Sequence, residues 1–194
     1  RSGGEASTFW AGLGAVRRDA FLAAGGFDGA RYARPAIEDI ELGYRLRDAG
    51  GRILLAPELQ GTHLKRWNWR EVLRTDVLCR ALPWSRLLHE RPAAAAGLNV
   101  QPAERVRAGL AGVIAITLAT TLGGVTPAWT PIAALVLAAA ANARLAVFFA
   151  GRRGVRFAAV ALLWHQLYYL YSAAVFVYAG LERRFAPRSN GPRA

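Results

Sequence analysis

Three carboxylates fall within four positions at Glu38, Asp39 and Glu41, where a Gly-containing loop gives way to a helical pattern. Paired acids in such a place suit general-base chemistry: Asp39 can take a proton from an attacking hydroxyl, while Glu38 fixes the loop or shifts its neighbour's proton affinity through like charge. The same acids suit a purely structural task, because negative side chains are favoured at the positive end of a helix dipole. By spacing alone the structural task is the commoner one. A second polar group, His165 with Gln166 and nearby tyrosines, lies inside a long apolar run. Polar residues so placed hydrogen-bond a neighbouring helix or line a pathway for a polar or lipid-linked molecule.

The elements that would position Asp39 are legible as a pattern. Residues 8–16 are apolar and Gly-punctuated, suiting a buried strand or turn, and residues 17–24 have helical spacing that stops at Gly25-Gly26. A turn follows at Phe27-Asp28-Gly29. The run from Pro35 to Gly51 is predicted to be a helix with Ile37, Ile40, Tyr44 and Leu46 towards a core, and residues 52–56 read as a short strand ended by Pro57. Helix, strand and loop in this order predict an α/β domain. Residues 67–88 read as amphipathic helices broken at Pro83, with tryptophans and arginines interleaved as at a membrane interface.

Charge divides the chain. Residues 1–107 hold 17 of the 25 Lys and Arg and 12 of the 13 Asp and Glu, whereas residues 108–143 and 157–181 carry no Asp, Glu, Lys or Arg. Such runs are long enough for a hydrocarbon layer of about 30 Å at about 1.5 Å per residue. Three crossings are predicted, at about 106–123, 129–150 and 157–180. Arg144 near the end of the second is expected to snorkel towards the interface. The formal charge of +12 does not point to nucleic acid, because the basic residues of the second half, such as Arg152, Arg153 and Arg156, flank apolar runs where lipid head groups would meet them. Three crossings leave a conflict: they place the basic tail from Glu182 onwards on the side opposite to those arginines. A lone cysteine, Cys79, makes no internal disulfide and is compatible with a reducing cytoplasm. The N-terminal residues have no signal-peptide pattern, and the chain reads as a piece of something longer.

The run F-W-A-G-L-G-A-V-R-R-D-A-F-L-A-A-G-G-F-D, followed by E-D-I-E-L-G-Y-R-L-R-D-A-G-G-R-I, resembles family 2 glycosyltransferases over roughly residues 8–67. In that family an apolar Gly-containing strand, an Arg-initiated helix and a G-G-F-D turn precede an E-D motif whose aspartate is the catalytic base. The resemblance implies the second half of a GT-A type α/β domain in residues 1–66, interfacial helices and a connector in 67–104, about three transmembrane helices in 105–181 and a basic tail in 182–194. It implies an inverting, membrane-bound enzyme that moves a sugar from a nucleotide-sugar donor to a lipid-linked or envelope-glycan acceptor. Asp39 would be its base and Glu38 the supporting acid. Gly12 and Gly14 would let backbone approach substrate, and Gly25, Gly26 and Asp28 would shape the wall.

His63-Leu64-Lys65-Arg66-Trp67 overlays the Q-x-x-R-W motif of processive members, with His63 in place of glutamine. Arg66 would meet diphosphate charge and Trp67 would stack near the acceptor. His63 fits single-sugar transfer better than a processive exopolysaccharide synthase and is the one candidate metal contact in this stretch. The family's D-x-D metal motif is missing, so the Mg or Mn expected in the complete enzyme would find its main ligands upstream, and the chain alone is expected to be inactive. The expected location is the cell membrane, multi-pass, with the catalytic part facing the cytoplasm. From outside enzymology, a non-catalytic scaffold that binds anionic lipid or a partner protein through the basic amphipathic segment is the competing reading.

Overall fold

The computed structural model describes residues 3–62, 64–92 and 101–185. The chain divides into two compact units, one formed by residues 1–97 with 179–194 and the other by residues 98–178.

In the first unit, strand β1 (Gly4–Ala6) pairs antiparallel with β2 (Ile53–Leu55), Glu5 lying opposite Leu54. Between them come a single 3-10 turn (Ala11–Leu13), helix α1 (Arg18–Ala23) and helix α2 (Glu38–Asp48). Phe9, Leu42 and Leu46 form the core, with Phe21, Ala24 and Ile53 packed against it. The α2 helix was well marked in sequence: acids fill its first turn, Arg45 and Arg47 its last, and Gly50 beyond it takes the left-handed conformation at φ 81°.

The expected α/β layering is not formed. The described residues of 1–66 hold only this two-stranded ribbon, three residues per strand, rather than a sheet with helices on its faces. The cause is local for residues 8–16. Gly14 folds back so closely that a methyl group on it would lie 2.7 Å from both the Phe9 ring and the Trp10 carbonyl, and the segment bends into a 3-10 turn instead of extending as a strand.

One side chain ties this unit together. Arg45 grips Glu41, one turn earlier, through Nε at 2.9 Å and Nη2 at 2.8 Å, and also donates to the carbonyls of Ala24 and of Gly26, the latter at 2.7 Å. Gly25 and Gly26 both have positive φ, 80° and 65°, which turns those carbonyls towards the guanidinium. The Glu41 side chain is only 8% exposed, so its charge depends on this partner.

The amphipathic segment is α3 (Trp69–Thr75), a π-helical stretch (Asp76–Ala81) and α4 (Leu82–Glu90). Asn68 and Glu71 make a reciprocal capping box at its start. Pro83 does not break the helix, as its ring predicted; it sits in the first turn of α4, and the wider π stretch before it absorbs the lost hydrogen bond, with the Leu82 amide donating to the Val77 carbonyl.

The second unit is helical: α5 (Pro102–Leu122), α6 (Trp129–Ala141), α7 (Ala143–Arg153) and most of α8 (Val155–Phe185). The helices α5 and α8 are each long and apolar enough to cross a membrane, consistent with a membrane protein. The second predicted crossing differs, because α6 and α7 meet at a 77° bend. At the bend, Arg107 Nε on α5 donates to the Ala141 carbonyl at 3.0 Å, and Asn142 turns its side-chain amide back to the Ala138 carbonyl at 2.8 Å. Both bonds occupy acceptors at the end of α6, and the helix stops there.

Replacing Arg45 by Ala strands a buried carboxylate and two inward-turned carbonyls. The expected loss is about 3 kcal/mol of stability, read by denaturant unfolding of the detergent-solubilised protein, with the double variant Glu41→Leu, Arg45→Met losing much less.

Candidate functional site

Asp39 occupies the second position of α2, and its carboxylate is held at both oxygens. Oδ1 accepts the Ile40 amide at 2.8 Å and Oδ2 accepts the Ala11 amide, 28 residues away, at 2.9 Å. Each oxygen keeps a second lone pair, so a carboxylate in this position is oriented without being used up.

What brings Ala11 within reach is Gly43, one helical turn beyond Asp39 on the same face. A methyl group on Gly43 would land on the backbone nitrogen of Phe9 and 3.1 Å from the Thr8 Cα. The backbone of residues 8–9 therefore lies directly on the helix, and the next turn, Ala11–Leu13, overhangs Asp39. Gly12 within that turn is exposed, and a methyl group on it would meet nothing within 4 Å. Its open surroundings leave backbone accessible close to the carboxylate, whereas Gly14 is explained by packing on Phe9.

Glu38 points the other way. Its Oε2 accepts the Ala36 amide at 2.6 Å and so braces the loop before the helix. That loop and the turn after α1 line a recess of about 250 Å³ bounded by Phe27, Asp28, Tyr32, Arg34, Pro35 and Glu38. Asp28 is structural here, accepting the Arg31 amide at 2.9 Å through its side chain. The Tyr32 hydroxyl is enclosed without a hydrogen-bond partner, and burial, opposed by the Arg31 charge, pushes its pKa up to about 12.

The loop after β2 returns past the same turn: a methyl group on Gly61 would lie 3.4 Å from the Leu13 side chain. His63 lies outside the described residues. Arg66 is exposed. Trp67 packs with the amphipathic segment, its ring covered by Lys65 Nζ at 3.9 Å and approached by Arg80 at 5.8 Å, with Val72 and Asp76 beside it. Its π face is thus engaged by cations of the same chain. Among the described residues no three His, Cys, Asp or Glu side chains converge on one point.

The structure therefore gathers Asp39, the Ala11–Gly12 backbone and the Glu38 recess in one region. Two contributors were missed in sequence. The Gly43 contact was signalled only by a glycine inside a helical pattern, and the Arg45 clamp by Glu-Arg spacing of four. No protein-family profile, curated protein or solved structure matches the chain.

Two outcomes follow from this geometry. Gly43→Ala should lift residues 8–11 from the helix, costing about 2 kcal/mol and raising the hydrogen-exchange rate of the Ala11 amide. Tyr32→Phe should leave neutral-pH stability nearly unchanged, since no hydrogen bond is lost. The folded-state pKa of Tyr32 exceeds the ordinary value of 10.0, so its contribution is complete below pH 10 and lost as pH rises towards about 12. The Phe variant should lack that alkaline decline in a melting series over the same range.

Proposed function

We propose that the chain is part of a membrane-bound inverting glycosyltransferase that uses Asp39 as catalytic base on a lipid-linked or envelope-glycan acceptor. The observation that carries this reading is the Asp39 carboxylate, fixed between its own helix and the Ala11 amide beneath an exposed glycine turn. The motif order F-W-A-G-L-G, G-G-F-D and E-D adds to it.

In this mechanism the acceptor hydroxyl donates its proton to a free lone pair of Asp39 as its oxygen attacks the anomeric carbon. The bond from that carbon to the nucleotide diphosphate breaks, the electron pair leaves with the diphosphate, and the configuration inverts. Glu38 acts at one remove, by holding the loop that bounds the recess. The donor half of a GT-A type domain, with the remainder of its sheet, would come from chain outside residues 1–194. The reading places the catalytic unit on the cytoplasmic side, in keeping with the arginines that flank the apolar helices. Single transfer is preferred to processive synthesis because His63 replaces the glutamine of the processive motif.

Asp39→Asn is the informative variant, because the amide oxygen can still accept the Ala11 N–H while the base is removed. Nucleotide-sugar turnover by the full-length membrane protein, with extracted lipid acceptors and divalent metal, should fall by about 10²–10⁴-fold, with Ala11 amide protection retained. Undiminished transfer would instead remove Asp39 as the base, whereas absence of transfer by the unaltered protein would favour the lipid-binding scaffold.

A further inference from the structure

Within the helical unit, α5 and α6 form an antiparallel pair whose base is marked by the Arg107 to Ala141 hydrogen bond at 3.0 Å. On reaching Asn142 the chain is back at the second turn of α5. From there α7 leaves at 77° to α6. An 11-residue helix about 16 Å long, turned by that angle, advances only about 4 Å along the α6 axis. Helix α8 therefore starts near the level at which α5 starts. Fourteen residues after Val155 it returns to that point, where the Tyr169 hydroxyl donates to Glu104 Oε2 at 2.7 Å and Glu104 pairs with Arg107.

The end of α8 is also held, within the first unit. Glu182 receives both Nε and Nη2 of Arg86 on α4, at 2.7 and 2.6 Å, and a methyl group on Gly180 would lie 3.2 Å from His89.

We infer that the chain enters the membrane as the α5–α6 hairpin, leaves by the same face, and carries α8 along that face in the lipid interface instead of across the bilayer. The dimensions agree. Helix α6 has 13 residues, about 20 Å, which is short of the ~30 Å hydrocarbon layer, while α8 has 31 residues, about 46 Å, far more than a crossing needs. One side of α8 is inward at Ala158, Gln166, Tyr169 and Ala179, and the other presents Phe157, Val160, Trp164 and Leu167 outwards. Arginines stand at both ends of this apolar helix, Arg152 and Arg153 before it and Arg183 and Arg184 in its last turn, where their guanidinium groups can reach lipid head groups.

This arrangement also removes the charge conflict of three crossings. All eight arginines after residue 107 then lie on one side, the side on which α5 begins.

The test is independent of sugar chemistry. Single cysteines are placed at the exposed positions Glu58 and Gly151 and in the tail at Ser189, in a Cys79→Ser background, and sealed vesicles of known orientation are treated with a membrane-impermeant maleimide. All three sites should label from the same side. Labelling of Gly151→Cys or Ser189→Cys from the side opposite to Glu58→Cys would overturn the inference, because α8 or the α6–α7 pair would then cross.

Discussion

The approach of backbone to backbone at Gly43 is the constraint on which the first unit depends. No other residue type lets Thr8 and Phe9 rest on α2, and that contact sets the Ala11 amide over Asp39 while burying Phe9 against Leu42 and Leu46. Packing and chemistry share one helix face. The core residues fix how far the 8–13 segment stands from the helix, and the carboxylate at the first turn takes its orientation from the result. Arg45 supplies the other restraint, pulling the turn after α1 onto the same helix through two carbonyls. Glu41 is buried because Arg45 neutralises it, so of the three clustered acids one is structural, one braces a loop, and Asp39 is left facing the exposed turn.

Sequence pattern was most informative where it is local. The limits of α2, the left-handed Gly25-Gly26 stop, the strand before Pro57 and the apolar character of α5 and α8 all rest on spacing within about a dozen residues, and each has its counterpart in the structure. What sequence did not convey depends on contacts between distant residues. The α/β layering was inferred from element order alone, whereas the 8–16 segment is bent by its own glycines and the described residues of 1–66 form only a ribbon of two three-residue strands. The second apolar run looked continuous because nothing in residues 129–150 announces that Arg107, on another helix, takes the Ala141 carbonyl. For the candidate site, the acids were visible as a cluster, but their division of labour depends on the Ala11 and Ala36 amides and on Arg45, none of which is apparent from spacing.

In the helical unit the same economy recurs. Glu104 and Arg107 neutralise each other, Tyr169 satisfies the second carboxylate oxygen, and His165 stands 3.1 Å from the Tyr169 hydroxyl. These polar groups, costly beside lipid, are paired with one another, and the Arg107 bond to Ala141 marks where α6 stops.

The measurement that bears most directly on the proposed chemistry is the anomeric configuration of the transferred sugar, read by NMR of the product formed from a donor of known configuration. A single displacement assisted by Asp39 requires inversion at that carbon. Retention would need a covalent or front-face mechanism that a lone oriented base does not provide, and it would contradict the assignment of Asp39.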